Sequence, residues 1–186
     1  MSDNHFILLA CLIECVPFYS NILGVYAAFK KDWDQRALKP LALKKIQLLE
    51  SNKKHFAYNK SSMELLQAHK YDIIYLDPPY NQRQYAPNYH LLETIAKYDN
   101  PKIKGVSGMR NYENQKSDFC NKVKALDSLE TIVKSNNYKY IVLSYNNEGI
   151  MPQEKILEIM EKQGSVEIVE YDYLRFKSNI HVSLKS

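Results

Sequence analysis

The fold class that this sequence predicts is an α/β layer with a mostly parallel sheet and flanking helices, and three observations predict it. Ile73-Ile74-Tyr75-Leu76 is an apolar, β-prone run of strand length, closed by Asp77-Pro78-Pro79. Lys139-Tyr140-Ile141-Val142-Leu143-Ser144-Tyr145 is a second such run, broken by Asn146-Asn147-Glu148-Gly149. Between them Phe119, Val123, Leu126, Leu129 and Val133 recur at helical spacing. Strands that alternate with helices pack as a parallel sheet covered by those helices.

The elements follow in order. Residues 3–15 read as a buried apolar helix that Ser2 or Asp3 caps. Pro17 interrupts it, and Ser20 or Asn21 starts a second helix to about Phe29. The stretch 30–43 mixes Lys30, Lys31, Trp33, Arg36, Lys39 and Pro40, and reads as an irregular basic loop. It is either a solvated connector or a surface for a phosphate backbone. A short strand is expected at 54–59, a helix from Ser61 or Ser62 through Ala68, and the central buried strand at 72–76. The run 81–89 is polar, aromatic and non-periodic, hence a loop, and a helix covers about His90 to Lys97. A second basic loop spans 100–113 with Lys102, Lys104 and Arg110, long enough to suspect function. A helix over 117–135 leads into the second strand. Residues 152–162 form another helix, with Pro152 suited to its first turn and Gly164 to its end. Residues 166–173 read as a further strand.

One domain, residues 1–186, is the natural count for 186 residues with 45% hydrophobic and 25% charged residues. A net charge of +4 permits a nucleic-acid partner without demanding one. Three cysteines without a framework point to reduced thiols in a cytoplasmic protein. Cys11 and Cys15 stand four apart on one helix, where two ligands can face one metal. With no second pair they read instead as core cysteines. No apolar run reaches the roughly 18 residues that a membrane span needs.

The chemistry concentrates where the central strand ends. Pro78 and Pro79 cannot donate to a sheet ladder, so the strand stops at Asp77. Open α/β sheets place their ligands at such carboxyl ends, and Tyr145 ends the neighbouring run at the same edge. A carboxylate, two stiff carbonyls and the Tyr80 ring suit a flat ligand with an exocyclic amino group. The plainer reading is a strand-to-loop turn, since proline pairs mark turns everywhere.

Asp77-Pro78-Pro79-Tyr80 resembles the signature of adenine-N6 DNA methyltransferases. The longer run from Tyr75 to Tyr85, then Asn88-Tyr89-His90-Leu91-Leu92, is similar to the modification enzymes of restriction systems. So are Ile95-Ala96-Lys97-Tyr98-Asp99, Gly108-Met109-Arg110, Leu143-Ser144-Tyr145-Asn146-Asn147-Glu148-Gly149, and Tyr173 with Arg175-Phe176-Lys177. The resemblance runs from about residue 5 to 177. It implies a Rossmann-like methyltransferase fold and methyl transfer from S-adenosyl-L-methionine to an adenine flipped out of double-stranded DNA. It implies Asp77, Pro78, Pro79 and Tyr80 as the catalytic turn, with Asp77 also bordering the cofactor. Asn81, Arg83, Tyr85 and Tyr89 are candidates to bind the DNA, steering the nucleotide and its phosphates, with plain loop anchoring the equal alternative for Arg83, Tyr85 and Tyr89. Tyr145 is a candidate pocket wall or a core residue, and Arg175 and Lys177 are phosphate contacts or plain surface charge.

Members of that family bind the cofactor's methionine part with a Phe-x-Gly-x-Gly turn after a first strand. The five glycines here, Gly24, Gly105, Gly108, Gly149 and Gly164, do not make that turn. Residues 179–186 do not look like the family's closing strand. The expectation is a partial fold, truncated at its start, that keeps the target-base site and exposes apolar surface. It is an adenine methyltransferase impaired in cofactor binding, or a non-catalytic DNA-binding fragment, or one half of a split enzyme with a complementing fragment. Methylation of a protein or RNA amide in the same pocket is the weaker reading. An ionised Asp77 offers only acceptors, which suits an amino group.

Overall fold

The computed structural model describes residues 3–171. Its centre is a parallel pair, β1 (Tyr71–Leu76) and β4 (Tyr138–Leu143), in which Ile74 faces Ile141 and Leu76 faces Leu143. Between the two come the helices α3 (Tyr85–Asn88) and α4 (His90–Lys97), the short strands β2 (Ile103–Lys104) and β3 (Met109–Arg110), and α5 (Lys124–Ser135). Helix α1 (Asp3–Tyr19) opens the described chain, α2 (Ser62–Ala68) precedes β1, and α6 (Gln153–Met160) follows β4.

Three helices cover one face of the pair. In α5 the buried residues Ala125, Leu129, Ile132 and Val133 fall on one stripe at helical spacing. Leu129 and Val133 pack with Met151, Ile156 and Ile159, and Leu76, Ile141 and Leu143 lean on that cluster from the sheet. Ile132 packs with Ile74 and with Leu66 of α2. Truncating a side chain as enclosed as Leu129 costs about 2–5 kcal/mol.

Among the described residues no layer covers the other face of the pair. The expected buried strand is covered on one side only: Ile73 (63% exposed) and Tyr75 (64%) alternate with buried Ile74, beside Tyr140 (67%) and Val142 (48%) on β4. The strand period of two sends alternate side chains to opposite faces, and only one face has a helical layer.

Several expected elements differ. Helix α1 runs through Pro17, which forfeits one backbone donor near the helix end, and on to Tyr19. It buries Cys11, Cys15 and Val16 but leaves Phe6, Leu8 and Phe18 exposed, so its burial is a stripe. The second helix is absent. Residues 21–30 make a tight excursion closed by an Ile22–Phe29 bridge, with Gly24 at φ +89°. Asn21 closes it further, its Nδ2 donating to the Lys30 carbonyl and its Oδ1 accepting from the Asp34 amide. These local bonds compete with a helix ladder.

Residues 54–59 form no strand; all are exposed and lack sheet partners. Tyr85–Asn88 is one helical turn where a loop was expected. The basic loop 100–113 contains an antiparallel hairpin, β2–β3. Its turn is made possible by Gly105 and Gly108, both at positive φ. Helix α5 begins at Lys124 rather than 117, because a separate 3₁₀ turn, Asp118–Cys120, is capped by the Ser117 side chain. Residues 165–171 are not a strand, and the remainder of that expected strand lies outside the described residues.

Candidate active site

Asp77 stands one residue beyond β1, where the ladder ends. The Ser144 amide still donates to the Leu76 carbonyl at 2.9 Å, so the last rung lies just before the acid. Beyond it the backbone of Pro78 and Pro79 cannot donate, and the side chain of Asp77 is exposed. Tyr80 is 43% exposed, while its carbonyl accepts from the Ile150 amide at 2.9 Å. The turn is therefore fixed from the backbone and open at its side chains.

The loop after it is pinned at four points. Asn81 Oδ1 accepts from the Arg83 amide at 2.9 Å, which tightens the start of the loop. Gln84 and Ser117 exchange two bonds: the Ser117 amide donates to Gln84 Oε1 at 2.8 Å and Gln84 Nε2 donates to the Ser117 carbonyl at 3.1 Å. Buried Cys120 Sγ donates to the Arg83 carbonyl at 3.4 Å. The Tyr26 amide donates to the Asn88 carbonyl at 2.8 Å, and the Tyr26 carbonyl faces Nε2 of buried His90 at 3.1 Å. A carbonyl only accepts, so that ring nitrogen carries the proton.

These contacts gather a row of tyrosines. The Tyr85 and Tyr89 rings lie 5.9 Å apart and Tyr26 is 6.5 Å from Tyr89. Burial, and next the Asp77 charge, push the Tyr85 phenol above its ordinary value, with Tyr89 and Tyr80 adding to it. Tyr85 thus sits within electrostatic reach of both Asp77 and Tyr80. A groove of about 430 Å³ opens beside Tyr85 and Tyr89, walled also by Ile13, Leu92, Glu93 and Gln115. Asp77 and Tyr80 are not among its walls.

Asp77, Tyr80 and Tyr89 all lie within electrostatic reach of Tyr85, and Pro78, Pro79, Asn81 and Arg83 belong to the same stretch of chain. Tyr145 is directed elsewhere. Its hydroxyl accepts from the Met151 amide at 3.1 Å, its ring packs on the helical core, and burial raises its phenol. Arg175 and Lys177 lie outside the described residues. Cys11, Cys15 and Cys120 are buried free thiols, and Cys15 Sγ accepts from the Lys44 amide at 3.2 Å. Sequence reasoning missed Gln84, His90 and Tyr26. Their partners are backbone groups 33 and 64 residues away, and nothing local signals such bonds.

A cofactor's phosphate or carboxylate is commonly cradled by glycine backbone. Gly24, Gly105 and Gly108 serve turns, and a Cβ on Gly149 would fall 2.2 Å from the Tyr145 ring.

The family model described as D12 class N6 adenine-specific DNA methyltransferase matches residues 5–162. The chain is 41% identical to the modification methylase StsI of Streptococcus sanguinis over 94% of its own length and 27% of the relative's. It is 42% identical to the type II methyltransferase M.FokI of Planomicrobium okeanokoites, over 92% of this chain and 27% of that one. With the type II methyltransferase M.NlaIII of Neisseria lactamica it shares 40% identity, over 95% of this chain and 52% of that one. The chain thus spans between about a quarter and a half of the length of these relatives. No solved structure matches it significantly. No described helix is long and apolar enough to cross a membrane.

Proposed function

Because the chain belongs to the D12 class of N6 adenine-specific DNA methyltransferases, we propose that it binds duplex DNA and holds a flipped adenine against Asp77, Pro78 and Tyr80. The observation that carries this reading is an exposed carboxylate one residue past a parallel strand, beside a half-exposed ring whose backbone is anchored by Ile150. S-adenosyl-L-methionine, the donor that methyltransferases of this kind use, supplies the methyl group when bound.

The residues of this chain do the positioning. An adenine amino group has two hydrogens and a lone pair that conjugates into the ring. The Asp77 carboxylate accepts one hydrogen and the Pro78 carbonyl accepts the other. Both bonds favour a pyramidal nitrogen and keep its lone pair directed outward, toward an incoming methyl. Tyr80 stacks on the base, which contributes about 1–3 kcal/mol to the extruded state. Placement of this kind accounts for several kcal/mol of a displacement barrier. Arg83, Tyr85 and Tyr89 meet the flipped nucleotide and its flanking phosphates. Pro79 keeps the turn stiff, and Asn81 shapes its exit.

The test is transfer of labelled methyl from S-adenosyl-L-methionine to adenine in a random duplex pool, with Asp77→Ala alongside. Transfer by the wild type that Asp77→Ala abolishes supports the reading, and label on protein or RNA instead of DNA contradicts it.

The open sheet face of Ile73, Tyr75, Tyr140 and Val142 favours a second reading. In it the chain supplies the base site and a further polypeptide, docked on that face, supplies the cofactor cradle. Transfer by the chain alone overturns this second reading.

A further inference from the structure

We infer that the β2–β3 hairpin grips the phosphates of the duplex beside the flipped base, with Lys102 and Lys104 as its contacts. The inference rests on the proposed adenine site and assigns it a DNA-holding arm. At its root the hairpin is bolted to the helix that leaves that site. Arg110, only 8% exposed, donates from both terminal nitrogens to the Asp99 carboxylate, one bond at 3.1 Å, and reaches Thr94 Oγ1 at 3.4 Å. Asp99 lies between Tyr98 and Asn100, both at positive φ, so the chain reverses sharply off α4 at this brace. A planar bidentate pair resists rotation as well as separation.

The hairpin presents exposed Lys102 just before β2 and exposed Ile103 and Lys104 along it, with Ile103 opposite Arg110, and Val106 is 88% exposed at the turn. No acid occurs between residues 100 and 112. Arg110 is spent on Asp99, while Lys102 and Lys104 have no ion pair among the described residues. The other basic stretch contrasts with this. There Lys30 and Arg36 both close on Asp34, whose carboxyl is held well below the usual range by Arg36 first and Lys30 next. Two lysines without an ion pair among the described residues, set along the strand that leads to a small apolar tip, suit a duplex, with ammonium groups on phosphates and the tip at a groove.

The reach fits too. The eight residues of α4 span about 12 Å at 1.5 Å each. The hairpin root is therefore about one helix length from Tyr89, or three to four base pairs at roughly 3.4 Å per pair. Such a grip contributes affinity uniformly across sequences rather than reading bases.

The experiment measures binding of the full chain to a labelled random-sequence duplex over a salt series. The proteins are wild type, Lys102→Ala/Lys104→Ala, and a Lys155→Ala control on α6. The double variant is expected to flatten the log–log salt slope by about 1.8 and to weaken binding by tens-fold at 0.1 M salt. The control is expected to match wild type. Wild-type binding with an unchanged slope in the double variant overturns the inference and leaves the adenine site standing. No wild-type binding at low salt overturns both.

Discussion

The side-chain amide of Gln84 and the peptide of Ser117 pair as two strand residues do, one bond in each direction, at 3.1 and 2.8 Å. This joins the loop of Arg83 and Tyr85 to the cap of the 3₁₀ turn that precedes α5, 33 residues on. Gln84→Ala removes both bonds and leaves the half-buried Ser117 peptide to solvent. It is expected to cost about 1–3 kcal/mol. Gln84→Glu keeps the acceptor and loses the donor, so its loss is smaller. Urea unfolding of the three proteins checks the order.

The His90 ring secures the 21–30 excursion on the tyrosine row through the Tyr26 carbonyl. His90→Ala deletes that donor and leaves a void where the ring was buried. Hydrogen exchange at the Tyr26 amide, now bonded to Asn88, is expected to accelerate at least tenfold, while amides of α5 keep their protection. Equal protection in the variant would show that Asn88 alone holds the turn.

Asp99 titrates below its ordinary value because Arg110 donates to it. A carboxyl lowered on folding stabilises the native state above its unfolded value, near pH 4, and that contribution fades as pH falls through the folded value. Asp99→Asn is therefore expected to reduce the acid dependence of melting temperature below about pH 4. A melting curve against pH, compared with wild type, reads this directly.

Gly149 cannot carry a side chain without moving Tyr145, since a Cβ would lie 2.2 Å from the ring. Gly149→Ala is expected to destabilise by about 1–3 kcal/mol through overpacking. Tyr145→Phe loses the acceptor for the buried Met151 amide, for about 1–2 kcal/mol. Because the two act at one contact, the double variant falls short of the sum. Thermal unfolding of the cycle measures it.

Much of this was legible in the chain. The two strands, α2, α4 and α6 follow from apolar runs and helical periods with clear punctuation at Pro78, Pro152 and the 146–149 turn. Asp77 at a strand end followed from the prolines alone. What failed did so for identifiable reasons. The apolar run before Phe29 looked helical, but Asn21 and Gly24 close it as a turn. The 100–113 stretch hid a hairpin because its strands are two residues each, too short for alternation to register. Which face of β1 is covered left no mark in its own residues, since Ile73, Ile74 and Tyr75 are all apolar, although exposed apolar surface was expected from the resemblance and is present at Ile73 and Tyr75. Gln84 and His90 escaped because backbone partners far along the chain leave no pattern.

Asp77 and Tyr80 are proposed to receive an extruded adenine. A duplex selected for binding, with 2-aminopurine at the target adenine, reports extrusion as a rise in fluorescence. A several-fold rise is expected with wild type, and a loss of most of that signal with Asp77→Ala/Tyr80→Ala. An unstacked probe that is equally bright with both proteins would contradict it.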